Sequence, residues 1–230
     1  MGPVDFTTPG IYLTFKDGAR LILDHDQVED YARCFLNDPA KVPEFVKQAA
    51  DFQPCDICPQ RDSGEFCHAL RPVLPFFDIL DRYASHDSVH LAYYAPDKTV
   101  YIAETTVQQA LRSISLASLM YYCEMGRGYW KYFYGVHPIM RATEAVGRVY
   151  LNIYYIFRGD RGKVKELVRR FRDDISVTSE CQIKRLRLIC KTDAFLNAFA
   201  KTQVIAEILA LDPENLLDVA IKEFASRPGL

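Results

Sequence analysis

The sequence predicts an α+β fold in which a small antiparallel sheet, formed by two β-hairpins, packs with a largely helical C-terminal half. Alternating apolar and polar residues around turn sequences predict the hairpins within residues 11–23 and 89–104. Beyond residue 106, apolar residues recur at three-to-four spacing, as in amphipathic helices. Because no repeat or low-complexity linker divides the chain, we expect a single domain over residues 1–230, with the hairpins and a cysteine loop in 1–105 and the helical part in 106–230.

Composition places the chain among ordinary globular proteins, since 49% of its residues are hydrophobic and 25% are charged. A formal net charge of −2 and a pI near 6.2 argue against binding to nucleic acid through bulk electrostatics. The first residues form neither a basic start nor an apolar signal segment, and no apolar run reaches ~18 residues. We therefore expect a soluble, cytoplasmic protein without membrane contact, for which a protein partner is more plausible than nucleic acid.

The first half of the chain carries clear turn and capping signals. The turn Lys16-Asp17-Gly18 separates the two strands of the first hairpin, and its glycine supplies the positive φ that a tight turn needs. Asp26, followed three residues later by Glu29, resembles a capping box and predicts a first helix that ends near Leu36. A second, short helix is predicted from Pro43 to Ala50, because proline is tolerated in the first turn of a helix.

The second half is predicted to be mostly helical. Arg71-Pro72 opens a predicted helix that runs to Tyr83, and Ala95-Pro96-Asp97-Lys98 is the turn of the second hairpin. A helix from Thr106 to Cys123 is followed by an irregular, packed aromatic segment, Tyr129 to Tyr134. Four more helices are predicted at roughly 139–157, 163–172, 179–209 and 213–225.

Three of the seven cysteines lie close together, in the loop that we call the cysteine loop (residues 54–68). Its middle part is hydrophilic and contains glycine, so it should loop out and bring Cys67 back to the Cys55-x-x-Cys58 pair. Several thiolates on a short polar loop are typical of metal ligands, because such a loop cannot bury each thiol separately. The sequence therefore predicts a metal site, with reduced cysteines that bind no metal as the alternative.

A fourth ligand has to come from another position, because sites of this kind usually have four ligands. Cys123, at the end of a predicted helix beside a Gly-Arg-Gly turn, is the first choice, and His68 is the second. Three clustered cysteines with one remote cysteine, and the proline directly after Cys58, favour a [4Fe-4S] cluster, with Zn²⁺ as the alternative. The remaining cysteines are interpreted as structural thiols: Cys34, Cys181 and Cys190.

A second group of residues is predicted to contact an anion or a substrate. Arg141, Glu144 and Arg148 share one face of a predicted helix near His137. Arg71 directly follows the cysteine loop, where a cation would stabilise clustered thiolates. The alternative for these residues is an ion-paired surface. Phosphate-binding glycine loops, nucleophile elbows and zinc-protease helices are not found in the sequence, which lowers the expectation of an enzyme without excluding one.

Short motifs run from the cysteine loop into the helical half: Cys55-x-x-Cys58-Pro59, Cys67-x-Ala69, Val107-Gln108-Gln109-Ala110-Leu111-Arg112-Ser113, Cys123 and His137-Pro138-Ile139-Met140-Arg141-Ala142. In this succession the chain resembles an uncharacterised family of bacterial cytoplasmic proteins. The resemblance covers most of the chain, including the opening hairpin and residues 193–198. The family pattern has proline after the third and fourth cysteines, where this chain has His68 and Glu124. The resemblance implies no activity.

The sequence therefore favours a cysteine-ligated metalloprotein with a structural role or a regulatory role that responds to redox or metal status. One alternative is a metal-assisted enzyme that acts on an anionic small molecule, with one metal position open to substrate or water. The other is a metal-free helical module that binds a protein.

Overall fold

The fold contains one four-stranded antiparallel sheet to which both predicted hairpins contribute. The computed structural model describes residues 6–38, 40, 42–63, 66–76, 82–188, 204–208 and 222. The strands are β1 Gly10–Phe15, β2 Arg20–Asp24, β3 Ser88–Tyr94 and β4 Val100–Thr106, in the spatial order β2-β1-β3-β4. Strands β1 and β3 join the two hairpins, with Leu13 opposite Leu91.

Helices follow each hairpin and make up most of the described second half. They are α1 His25–Asn37, α2 Glu44–Ala50, α3 Val107–Ala117, α4 Ala142–Ile156 and α5 Arg161–Leu186. Shorter pieces are 3₁₀ turns at His68–Leu70, Leu74–Phe76 and Trp130–Phe133, a π-helical turn at Ser118–Tyr122 and one α-turn at Glu124–Arg127. The predicted α+β class is confirmed. Within the described ranges, every helix is too short or too polar to cross a membrane.

Both hairpin turns use the residues that the sequence predicts. Gly18 has a φ of 86°, and the carboxylate of Asp17 accepts a hydrogen bond from the backbone N–H of Ala19 at 3.0 Å. In the second turn Lys98 has a φ of 69°, and the carboxylate of Asp97 accepts a hydrogen bond from the backbone N–H of Thr99 at 2.9 Å. Local turn chemistry therefore fixes the two hairpins before any distant contact is made.

One continuous apolar core connects the sheet with α3, α4 and α5. Leu13 and Leu91 from the sheet, Leu111 from α3, Val149 from α4 and Phe171 from α5 are each at most 2% exposed. Burial of each such side chain stabilises the fold by about 1.5–3 kcal/mol. Helix α5 also packs against α2 and against the Glu124–Arg127 turn. These contacts place α5 beside the cysteine loop.

Helix α1 is capped two residues earlier than predicted. Asp24 Oδ1 accepts a hydrogen bond from the backbone N–H of Gln27 at 2.8 Å, and Asp24 Oδ2 accepts from the hydroxyl of Thr8 at 2.6 Å. Glu29, the predicted partner of Asp26, instead pairs with Arg71. The prediction that Asp26 caps the helix is wrong. Asp24-x-x-Gln27 has the same capping-box pattern as Asp26-x-x-Glu29, and the helix begins at the first of the two.

The helix predicted to open at Arg71-Pro72 does not form in the described part of its range. Residues 71–73 make turns, and a 3₁₀ turn follows at Leu74–Phe76. Pro75 explains this difference, because it has no N–H to donate and its ring would clash with the carbonyl of Arg71, four residues earlier. Residues 77–81 of the predicted helix lie outside the described residues.

Helix α5 is a single helix where the sequence predicts a break. Its buried face continues at alternating spacings of four and three through the predicted gap, residues 173–178. The hydroxyl of Thr178 donates to the carbonyls of Asp174 and Ile175 at 3.0 and 3.1 Å, so it is satisfied inside the helix. Packing against the core therefore overrides the low helix propensity of this stretch. The helix predicted at 213–225 lies, except for residue 222, outside the described residues.

The aromatic segment packs against both α4 and α5, and Asn152 of α4 donates to the carbonyls of Tyr132 and Tyr134 at 2.9 and 2.8 Å. Tyr129 and Phe133 contact Phe171, with ring centroids 4.9 and 5.6 Å apart. The hydroxyl of Tyr129 donates a hydrogen bond to the carboxylate of Asp174 on the same helix. The segment is thus the packed stretch that we predict, and it holds α5 against the α4 side of the core.

Candidate metal centre

The four cysteines predicted as metal ligands line one cavity, which we call the cysteine cavity. It encloses about 40 Å³ between the cysteine loop, the Glu124–Arg127 turn and α5. Cys55 and Cys123 are buried, whereas Cys58 and Cys67 are partly exposed, and all four are free thiols. The fold therefore places the remote Cys123 at the same cavity as the three cysteines of the loop.

Backbone turns hold the cysteines of the loop in place. The N–H of Cys58 donates to the carbonyl of Cys55 at 2.9 Å, and the N–H of Arg61 donates to the carbonyl of Cys58 at 3.1 Å. The carbonyl of Cys67 accepts from Leu70 at 3.0 Å and so begins the 3₁₀ turn that follows. The loop is thus a series of tight turns, in which the backbone rather than an apolar core positions the thiols.

Cys123 reaches the cavity because helix α3 ends in the wide π-helical turn. The N–H of Cys123 donates to the carbonyl of Ser118 at 2.9 Å, and Cys123 itself is extended, with φ −66° and ψ 126°. The hydroxyl of Ser118 donates to the carbonyl of Ala69 at 2.5 Å, and both residues are fully buried. This hydrogen bond ties the end of α3 to the chain just after the cysteine loop. Wide turns of this kind are frequent at functional sites.

A close backbone approach fixes the turn after Cys123. A Cβ added to Gly126 would lie 1.7 Å from the carbonyl oxygen of Leu119, so only glycine fits. The N–H of Arg127 donates to the carbonyl of Cys123 at 2.8 Å. The Gly-Arg-Gly sequence beside Cys123 therefore has the bending role that its composition predicts.

Burial and neighbouring thiols make deprotonation of two cysteines unfavourable. Burial raises the pKa of Cys123 to about 11, with smaller contributions from Cys67 and Cys58. A hydrogen bond with Cys181, together with burial, raises the pKa of Cys55. A metal ion reverses this balance, because a coordinating thiol loses its proton to the ion's charge. A metal ion in the cavity would therefore favour the thiolate forms of Cys55 and Cys123.

Cys181 on α5 is a fifth thiol at this site, although the sequence indicates only a structural role for it. It forms a hydrogen bond with Cys55, and its sulfur lies 3.8 Å from the carbonyl oxygen of Gln53. The hydrogen bond from Cys55, with Arg185 and Lys184 nearby, lowers the pKa of Cys181 to about 7. The i,i+4 spacing of Cys181 and Arg185 on one helix face is the sequence signal that could have found it.

A buried cation, Arg185 of α5, also lines the cysteine cavity. Arg185 is 1% exposed, and its Nη2 donates to the carbonyls of Phe52 and Gln53 at 3.3 and 3.2 Å. Among the described residues, its Nε and Nη1 have no hydrogen-bond partner. Burial of an incompletely paired guanidinium costs several kcal/mol. An anionic group in the cavity would complete its contacts.

Two further polar residues of α5, Gln182 and Ser179, are buried, and Gln182 lines the cavity. Gln182 is fully buried, and its Nε2 donates to the sulfur of Cys67 at 3.3 Å. Within the described part of the chain, Gln182 Oε1 and the hydroxyl of Ser179 have no partner. Buried polar atoms are normally paired, so unpaired ones call for an explanation. Helix α5 thus contributes polar side chains to the wall of the cavity.

The second-choice ligand, His68, is engaged in a surface network. Its Nδ1 lies 2.9 Å from Glu124 Oε1, and the same oxygen accepts from Arg127 at 2.9 Å. His68 still lines the cysteine cavity.

No group of three or more His, Cys, Asp or Glu side chains in the described ranges is arranged so that it could hold a metal ion directly.

The predicted anion contacts on α4 lie apart from the cysteines. Arg141 forms a 3.0 Å ion pair with Glu144 and lines a cleft of about 560 Å³ between β4, α3 and the start of α4. Among the described residues, this cleft and the cysteine cavity share no lining residue. Arg148 is exposed and lies beside Gly135. The single pocket that a metal-assisted enzyme using these residues would need is therefore not formed by this part of the chain.

The other two predicted contacts also lie outside the cysteine cavity. His137 stacks on Tyr101 with ring centroids 4.0 Å apart. Arg71 pairs with Glu29 at 2.7 Å and lines a different cleft, which borders the cavity at His68. The five predicted contacts are thus spread over several surfaces, and Arg71 lies nearest to the cysteines along the chain.

Comparison of the chain with known protein families, with curated proteins and with solved structures finds no match. The resemblance to an uncharacterised bacterial family stays a prediction. The chemistry of the cysteine cavity is therefore the basis on which a function can be assigned.

Proposed function

We propose that the chain is a cysteine-ligated metalloprotein in which Cys55, Cys58, Cys67 and Cys123 hold a metal centre. One observation carries this proposal: the four cysteines line one cavity together with Arg185, a buried guanidinium with two unpaired nitrogens in the described structure. Four thiolates around Zn²⁺ or around a [4Fe-4S] cluster leave a net negative charge. The guanidinium would offset part of that charge and gain the partner that it lacks.

The proposed centre would join three segments that the backbone keeps apart. These are the cysteine loop, the end of α3 at Cys123, and α5 through the Gln182–Cys67 contact. Such a site does not exist in the unfolded chain, so the free energy of metal binding becomes free energy of folding. Removal of the metal, or oxidation of the thiols, would loosen the loop. This supports a structural role, or a regulatory role that responds to metal or redox status, in a reducing cytoplasm.

The cavity volume and the cysteine pattern favour different metals. A volume of about 40 Å³ is close to that of one water molecule, so it suits a single Zn²⁺ ion. The [4Fe-4S] cluster, which the three-plus-one pattern of cysteines favours, is larger than this volume, so the cavity would have to widen to hold it.

Metal analysis and a visible absorption spectrum of anaerobically purified protein test the proposal. Iron and sulfide with a broad band near ~400 nm identify a cluster, and colourless protein with about one zinc identifies a zinc centre. Cys58→Ser and Cys123→Ser are each expected to lose metal and to lower Tm. Cys190→Ser, outside the predicted ligand set, is the control and should retain metal. Metal-free wild-type protein from metal-supplemented cells, or Cys58→Ser with full metal and an unchanged Tm, contradicts the proposal.

A further inference from the structure

An open cleft of about 650 Å³ borders the cysteine cavity, and His68 lines both. The cleft, which we call the tyrosine cleft, lies where β1 begins, where β2 and β3 end, and where the π-helical turn approaches α1. Small-molecule sites typically enclose about 300–1,000 Å³. The volume of the tyrosine cleft falls within this range.

Three tyrosines line this cleft: Tyr93, Tyr121 and Tyr122. Tyr121 and Tyr122 belong to the π-helical turn, and Tyr121 keeps 48% of its surface exposed although it is an aromatic residue. Tyrosine rings offer large, rigid and flat apolar faces with a polar tip. The cleft therefore presents surfaces on which a planar ring can stack.

Two arginines on the wall of the cleft have unused donors. Arg71, 23% exposed, contacts Glu29 only through Nη1, at 2.9 and 2.7 Å to the two carboxylate oxygens. Arg127, 57% exposed, contacts Glu124 through Nη1 at 2.9 Å. Within the described residues, no hydrogen bond from another nitrogen of either guanidinium is seen. Each arginine can therefore pair with a second acceptor while it keeps its carboxylate partner.

The charges that line the cleft favour an anion. Two guanidinium groups, Arg71 and Arg127, and one carboxylate, Glu29, line the cleft, and Arg127 is also paired with Glu124, which is not among the lining residues. Guanidinium groups bind carboxylate, sulfonate or phosphate through planar, charge-assisted hydrogen bonds. The cleft thus offers both cations and flat rings, which match two different parts of one ligand.

We propose that the tyrosine cleft binds a small molecule that joins a planar aromatic ring to an anionic group. The ring stacks on Tyr121 and its neighbours, and the anion pairs with Arg71 and Arg127. No cysteine of the described structure lines this cleft, so the proposal does not rest on the metal centre. It adds a ligand site on the other side of His68.

Fluorescence titration with 1-anilinonaphthalene-8-sulfonate tests the proposal, because this probe joins aromatic rings to a sulfonate. N-phenyl-1-naphthylamine is the matched neutral probe, since it has the same rings without the sulfonate. We expect saturable binding of one sulfonate probe per chain, and about tenfold weaker binding of the neutral probe, which corresponds to about 1.4 kcal/mol. Unsaturable binding, or equal affinity for the two probes, would overturn the proposal.

Surface variants locate the bound probe. Arg127→Leu and Tyr121→Ala should each weaken binding of the sulfonate probe about tenfold, and Arg127→Leu should leave the neutral probe unaffected. Arg169→Leu and Tyr155→Ala are matched controls, since these side chains are 67% exposed and 73% exposed at other places. Unchanged binding in both cleft variants would refute the site. These experiments measure probe affinity and not metal content. A negative result for the cleft therefore does not contradict the metal centre, and a metal-free protein does not contradict the cleft.

Discussion

Replacement of Arg185 by methionine is expected to weaken the metal-loaded protein far more than the metal-free protein. Methionine is unbranched and fills irregular space, so the main loss is the guanidinium itself. That group is 1% exposed, donates to two backbone carbonyls at 3.3 and 3.2 Å, and has two nitrogens without a partner among the described residues. Whether the Arg185 guanidinium stabilises or destabilises the protein therefore depends on whether the cavity holds a negatively charged group.

The size of the expected effect of Arg185→Met follows from the free-energy contributions that the guanidinium makes with and without metal. Without metal, the loss of charged hydrogen bonds costs about 1.5–3 kcal/mol each, and the removal of an incompletely paired buried cation returns several kcal/mol, so the terms nearly cancel. A negatively charged centre about 6 Å away, at an effective dielectric constant of about 20, adds about 3 kcal/mol of attraction per unit charge. Arg185→Met should therefore lower metal affinity roughly a hundredfold.

Urea unfolding with and without metal measures the stability terms, and competition with a chelator measures metal affinity. Arg187→Met is the matched control, because Arg187 is exposed just beyond the end of the same helix. Equal destabilisation of both forms, with unchanged metal affinity, would show that Arg185 serves only to anchor residues 52–53. That result would refute an electrostatic role toward the centre.

Three further predictions concern the surroundings of the cavity. Gly126→Ala should lower the free energy of unfolding by about 3 kcal/mol, since its Cβ would meet a backbone oxygen at 1.7 Å; Gly128→Ala, whose Cβ would lie 3.3 Å from the carbonyl oxygen of Met125, should lower it much less, as urea unfolding of both variants can measure. Tyr129→Phe removes the hydroxyl that donates to Asp174 and should cost about 1–3 kcal/mol, and an unshifted urea midpoint would contradict this. Burial raises the pKa of the Tyr122 hydroxyl from 10.0 to about 12. Because the folded state holds this proton more tightly than the unfolded state, the resulting stabilisation is present below pH 10 and is lost as the pH rises to about 12. Urea titrations across that window should show a smaller loss in Tyr122→Phe; an equal loss means that other groups cause it.

The sheet could be predicted because its signals are local. Asp17-Gly18 and Pro96-Asp97 set the two turns, and alternation of apolar residues marks the strands. The residues at which helices begin and end were less predictable, because a competing local signal or a distant packing contact sets some of them. Pro75 prevents the helix expected from Arg71, and core packing carries α5 through residues 173–178.

The cysteine loop was predictable because clustering along the chain is visible in the sequence. Cys123 was predictable from its position beside glycines at the end of a helix. The contribution of α5 was not, because Cys181, Gln182 and Arg185 reach the site only through tertiary packing. Periodicity shows which face a residue occupies but not which loop that face will meet.

The long separations across the cysteine cavity set an order of events during folding. Arg185 contacts the carbonyl of Phe52, 133 positions earlier, and Gln182 contacts Cys67, 115 positions earlier. Closure of such long loops costs entropy before any contact compensates it, so these contacts form late. The Cys55-x-x-Cys58 turn can form during translation. The residues of α5 that complete the cavity are synthesised several seconds later, at about 5–20 residues per second. Under the proposed function, metal capture is therefore the closing step of folding and not its nucleus.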